Sequence, residues 1–168
     1  MTELAPGSRA VVITVSDRSS AGQRPDLSGP LAAELLTGLG FDVDEVVVVP
    51  DEAAEIEVAL ADAIRAGVDL VVTTGGTGIA PRDVTPEATA RVLQRAVPGI
   101  AEAIRARSRE AVPASALSRG IAGVSGRTLL VNLPGSPGGV RDGVAVLSTV
   151  VAHALAQLRG AGDHPFPG

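Results

Sequence analysis

Cysteine, lysine, tryptophan and tyrosine are all missing from this chain of 168 residues. Without thiols, disulfides and thiolate-bound metals are excluded. Without lysine a P-loop is excluded, because that loop uses a lysine on the phosphates; all 14 basic residues are arginines. Two phenylalanines are the only aromatic residues, so stacking on nucleic-acid bases has almost nothing to use. A net charge of -5 argues equally against a phosphate-backbone binder, and no nucleic-acid partner is expected. His153 and His164 are the only imidazoles, too few for a histidine-rich metal centre. The start, "MTELAPGSRA", has no apolar signal core, and no uninterrupted apolar run approaches the roughly 18 residues of a membrane span. A soluble, cytoplasmic protein without a membrane partner is the expectation.

What is present is aliphatic. Hydrophobic residues make up 45% of the chain, nearly all of them Ala, Val, Leu and Ile, and the length suits one domain over 1–168. Short β-branched runs alternate with helical spacing. "RAVVITVSD" reads as a buried strand, "RSSAGQRPDLSG" as a loop, and "LAAELLTGLG" as a helix closed by glycine. "FDVDEVVVVP" reads as a second strand. In "DEAAEIEVALADAIRAG", Ile56, Leu60, Ala63 and Ile64 share one helical face, with acids at the start and Gly67 at the end. "VDLVVTT" is the third strand. Thr85 and Pro86 suggest a capped helix running to about Ala96, and a further helix follows Pro98 and Gly99. "GIAGVSGRTLLVNLP" reads as two strands around Gly126, followed by a long helix and a tail at about 161–168. This order predicts an α/β three-layer sandwich: a mostly parallel sheet, helices on both faces and an antiparallel edge strand.

In open α/β sheets ligands bind beyond the carboxyl ends of the strands. Four polar segments fall there: "TVSDR", "PDE", "TTGGTGIAPRD" and "NLPGSPGG". Gly75, Gly76 and Gly78 allow either an anion-binding nest of backbone amides, with Thr74 and Thr77 adding hydroxyls, or a plain flexible turn. The dinucleotide pattern G-x-G-x-x-G is absent from this stretch. Asp51 either caps the helix after it or holds a cation, and Asp83 either braces its own loop or does the same. Two carboxylates at the rim of an anion-binding loop suit Mg²⁺ shared with substrate phosphates. Arg82 is either a phosphate clamp or a solvated charge. Ser136 does not fit the G-x-S-x-G nucleophile pattern, and His153 sits in an apolar helix, so no hydrolase triad is supported. Arg105, Arg107 and Arg109 form a solvated or subunit-contacting face.

"TTGGTGIAPRDVTPEAT", then "PGI", "LSRGIAG" and "NLPGSP", resembles the molybdopterin adenylyltransferase family of molybdenum cofactor biosynthesis, which includes the N-terminal domain of gephyrin. The resemblance runs from "TVSDR" to "NLPGSP". It implies transfer of AMP from Mg-ATP to the terminal phosphate of molybdopterin, release of pyrophosphate, delivery to a downstream molybdenum insertase, and assembly as a homotrimer. It implies Asp51 and Asp83 as the catalytic, Mg²⁺-holding pair, Gly75, Gly76, Thr77 and Gly78 as the glycine loop, and Pro134, Gly135 and Ser136 as the pterin-side loop. Thr14, Ser16, Thr74, Arg82, Ser118 and Arg119 are the remaining implied substrate contacts. The chain departs from many relatives at Gly138 and Gly139, where they carry a lysine, and Arg141 lies at a different spacing from the same anion. A non-catalytic pterin-binding or scaffold protein of the same family is the alternative.

Overall fold

In a computed structural model, residues 3–160 are described; the expected tail and His164 lie outside them. Seven strands form one sheet, in the order β2-β1-β4-β7-β6-β5 with β3 also on β1. They are β1 (Arg9–Val15), β2 (Asp42–Val43), β3 (Val47–Val49), β4 (Leu70–Thr74), β5 (Arg95–Ala96), β6 (Ala122–Ser125) and β7 (Thr128–Leu133). β1, β2, β3, β4 and β7 run parallel, whereas β5, β6 and β7 pair antiparallel at one edge. The expected sandwich is what the chain forms.

Both faces of the central strands are covered, which is why they read as unbroken apolar runs. Ala10, Val12, Leu70, Val72, Leu129 and Val131 pack with α2 (Ser28–Gly38), α5 (Pro98–Arg109) and α6 (Pro137–Leu158). Val11, Ile13, Val15, Val71 and Leu130 point the other way, against α3 (Ala53–Arg65) and α4 (Thr85–Val92). In α6 the buried Val140, Val144, Leu147, Val151 and Leu155 recur at helical spacing. Its length and hydropathy would also suit a bilayer, but that stripe is buried on the sheet. Gly143 lets α6 come close, since a Cβ there would meet Leu133 at 2.4 Å.

Three local expectations change. The second strand is broken in two: residues 42–43 and 47–49 keep register with β1, while between them Asp44 pairs with Arg9 and its amide reaches the Ala10 carbonyl at 3.4 Å. The "RSSAGQ" loop begins with a short helix, α1 (Asp17–Ser20), capped by the Ser16 hydroxyl on the Ser19 amide. The helix after Thr85 stops at Val92 rather than Ala96. Gln94 and Val97 amides bond to Val124 and Ala122 carbonyls instead, making β5, and Val97 precedes a proline that disfavours helix.

Candidate active site

Parallel pairing of β3, β1, β4 and β7 puts their carboxyl ends on one edge. The four polar segments therefore meet there. Gly75 and Gly76 adopt φ of +93° and +65°, the left-handed region that glycine enters without cost. Space is as restrictive as torsion. A Cβ on Gly75 would lie 2.4 Å from the Val15 carbonyl oxygen, and one on Gly76 2.3 Å from Thr85 Oγ1 and 3.1 Å from Asp51 Oδ1. The Gly75 amide is tied to the Leu133 carbonyl. The amides of Gly76, Thr77 and Gly78 have no acceptor among the described residues, as an anion nest requires.

Thr85 is the first residue of α4 rather than its cap, which is Val84. Its hydroxyl donates to the Gly75 carbonyl and pins the glycine loop. Asp51 does not cap α3 either: Glu52 occupies that position, and Asp51 Oδ2 accepts from the Asp17 amide at 2.9 Å. Asp83 does brace its own loop, its Oδ2 accepting from the Ala80 amide at 3.0 Å. Each carboxylate keeps its second oxygen, Oδ1, without a donor among the described residues. Burial raises the Asp51 pKa above the usual carboxylate range; the negative fields of Asp17 and Asp83 add to this, opposed by the Asp17 amide and Arg82. The Asp83 charge thus reaches Asp51 across the Gly76–Gly78 loop.

Among the described residues no three His, Cys, Asp or Glu side chains converge on a metal position. Two half-buried carboxylates with free oxygens nevertheless suit Mg²⁺, which takes few protein ligands and completes its shell with water and phosphate oxygens. Arg82 is exposed but already paired with protein carboxylates. Its guanidinium forks onto Asp17 and reaches Glu52 at 2.9 Å. Arg119 likewise meets protein: Gly78 O, Asp83 O and Glu87.

A cavity of about 300 Å³ lies on the β1 side of the loop, lined by Thr14, Ser16, Arg24, Thr74, Gly75 and Gly135 among others. Within it Thr14 and Thr74 hydroxyls are already bonded, to Asp26 at 2.7 Å and Ser28 at 2.9 Å. Nothing in the sequence singles out Asp26; it lies one residue before the N-cap Leu27 and accepts from the Gly29 amide in the first turn of α2. A second cavity of about 480 Å³ lies on the other side, bordered by Thr77, Gly78, Ser118, Pro134, Ser136 and Arg141. Ser136 caps α6 by accepting from the Gly139 amide, a structural use of its hydroxyl. Arg105 departs from the expected solvated face and donates to the carbonyls of Ser118 and Gly120. Arg107 meets Asp142, Arg109 stays exposed, and His153 is on the exposed side of α6 beside Gln157.

Residues 11–153 match the probable molybdopterin binding domain. The chain belongs to that family. It is 42% identical to the molybdopterin adenylyltransferase of Pyrococcus furiosus, over 88% of this chain and 89% of that one. It is 43% identical to the molybdenum cofactor biosynthesis bifunctional protein of Synechococcus elongatus, covering 92% of this chain but only 48% of that longer protein. A crystal structure of a molybdopterin biosynthesis protein from Mycobacterium abscessus superposes with a TM-score of 0.88 at 50% identity, covering 93% of this chain and 99% of the other. This member of the molybdopterin-binding family keeps two cavities flanking one glycine loop, with an acid on each side of it.

Proposed function

We propose that this chain is a molybdopterin adenylyltransferase of molybdenum cofactor biosynthesis, joining AMP from ATP to the terminal phosphate of molybdopterin with release of pyrophosphate. The observation that carries it is the position of Asp51 and Asp83. Each keeps its Oδ1 free of protein donors and flanks the loop with unsatisfied amides, Asp51 beside Gly76 and Asp83 beside Gly78, and that loop borders cavities of about 300 and 480 Å³.

The attacking group, a phosphate monoester, is already anionic, so no side chain need remove a proton. Bringing two anions together and stabilising the leaving pyrophosphate is the difficulty, and phosphoryl-type transfer is largely positioning and electrostatics. The amides of Gly76, Thr77 and Gly78 serve as donors to phosphate oxygens. Asp51 and Asp83 would hold Mg²⁺, which supplies neutralising charge to the phosphates. Thr85, through Gly75, keeps the amides aimed. Arg24 and Arg141, one in each cavity, have no acidic partner among the described residues and add positive charge where substrates enter.

The same proposal includes a cytoplasmic location, a homotrimer and hand-over to a molybdenum insertase. The greater length of the Synechococcus elongatus relative supports close coupling to a following step. Incubation with Mg-ATP and molybdopterin tests the activity, and the adenylylated pterin together with pyrophosphate is the expected product. Pterin binding without pyrophosphate release would select the non-catalytic alternative. Light scattering on the eluted protein checks for three subunits.

A further inference from the structure

Asp17 carries more hydrogen bonds than an exposed loop aspartate needs. Its amide donates to Asp51 Oδ2 at 2.9 Å, and its Oδ1 accepts from the Asp51 amide at 3.0 Å. The two residues are thus locked reciprocally across 34 positions of sequence. The same carboxylate receives Arg82 side-on, Nε to Oδ2 at 2.5 Å and Nη2 to Oδ1 at 3.0 Å. Arg82 extends the tie to Glu52 and to the Asp51 carbonyl, at 2.9 Å and 3.4 Å. Its neighbour in the chain is Asp83. The loop after β1, the loop after β3 and the loop after β4 are therefore fastened at one point.

We propose that Asp17 and Arg82 form a clasp that fixes the spacing of Asp51 and Asp83, making Asp17 a positioning residue that touches neither substrate nor metal. The pair is exposed, with side-chain accessibilities of 58% for Arg82 and 40% for Asp17. Exposed ion pairs contribute only about 0–1 kcal/mol to folding, so stability alone does not account for such a complete bond set. Geometry does. A side-on guanidinium–carboxylate fork fixes both distance and orientation, which a single-point ammonium contact cannot. Asp17 also acts on Asp51 in two senses: its amide favours the charged carboxylate while its own charge opposes it. The clasp rests on Asp51 and Asp83 as the metal-holding pair.

Asp17→Asn and Arg82→Lys test it. The first removes the charge that holds the fork, and the second keeps the charge but loses the fork. Both variants should fold, shown by unchanged circular dichroism and a Tm within about 4 °C of the parent. Turnover with Mg-ATP and molybdopterin should drop roughly 10-fold or more, with KM for both substrates within about twofold, as for a group that orients rather than binds. The Asp17→Asn/Arg82→Gln pair should be no worse than either single change, because the two act as a unit. Independently of activity, Mg²⁺ titration of the substrate-free protein should show at least roughly 10-fold weaker binding in the variants, and amides 79–84 should exchange faster.

Variants with unchanged turnover and Mg²⁺ affinity, in a parent that does adenylylate molybdopterin, would overturn the clasp and leave the activity standing. A parent without metal-dependent transfer would overturn the activity itself. Unfolding of both variants would also sink the clasp, since Asp17 and Arg82 would then be holding the fold.

Discussion

Arg119 grips the backbone of Asp83: its Nη2 donates to the Asp83 carbonyl oxygen at 2.7 Å, while its Nε donates to the Gly78 carbonyl at the same distance. Its own amide bonds to Thr77 O, and its guanidinium also meets Glu87, which holds that carboxyl below the usual range. One side chain thus closes the 77–83 loop. Arg119→Ala should lower turnover roughly 10-fold by loosening that loop, in line with the cost of misplacing a catalytic group. Steady-state kinetics with hydrogen exchange over 77–84 would check it; slow exchange with full turnover would refute the bracing role.

Asp51→Asn and Asp83→Asn should each lower turnover by at least about 100-fold, and EDTA should abolish transfer until Mg²⁺ is returned. Full turnover in either variant rules out the assigned role.

Asp51 also makes a stability prediction. Burial raises its folded-state pKa above the unfolded value. Between those two values the native state holds more protons, so stability falls as pH rises through the window, and the penalty persists at neutral pH. Asp51→Asn should therefore raise Tm at pH 7 without added metal while removing activity. Mg²⁺ should raise the parent's Tm and leave the variant's unmoved. Equal Tm values across pH 3–7 would contradict the desolvation account.

Gly76→Ala should be costly twice over. At φ of +65° a non-glycine residue pays about 1–2 kcal/mol, and the added methyl collides with Thr85 Oγ1. Both Tm and turnover should drop. Gly138→Ala, where a Cβ meets nothing within 4 Å, is the matched control for Tm.

Arg141 faces the 480 Å³ cavity with no acidic partner among the described residues, while its neighbour Asp142 is engaged by Ser108 and Arg107. Arg141→Gln should raise KM for molybdopterin roughly 10-fold and leave KM for ATP unchanged, the loss expected for one charge-assisted bond. An equal rise for both substrates would place Arg141 outside a pterin-specific role.

Much of the architecture was legible because its signals are local. β-branched runs marked β1 and β4, an apolar run after Gly126 marked β7, and helical spacing of Ile56, Leu60 and Ala63 marked α3. Element ends were less so. β5 exists only because β6 offers edge hydrogen bonds to residues that would otherwise prolong a helix. The glycine loop was visible as a motif, but its purpose was ambiguous until Val15, Thr85 and Asp51 were found filling the space a side chain would need.

Alone, the sequence determined an aliphatic two-sided core, the parallel order that follows from it, and an absence of thiol, lysine and aromatic chemistry, because hydrophobic period and residue type are properties of neighbours in the chain. It also marked Asp51 and Asp83 through their motif. Only the tertiary structure decided what the arginines do. Arg82 and Arg119 are drawn to carbonyl and carboxylate oxygens contributed by segments 30 to 65 residues away, because parallel pairing brings the carboxyl ends of β3, β1, β4 and β7 to one edge and antiparallel β6 starts there. A charge's partner is set by that distance in space, which no local pattern encodes.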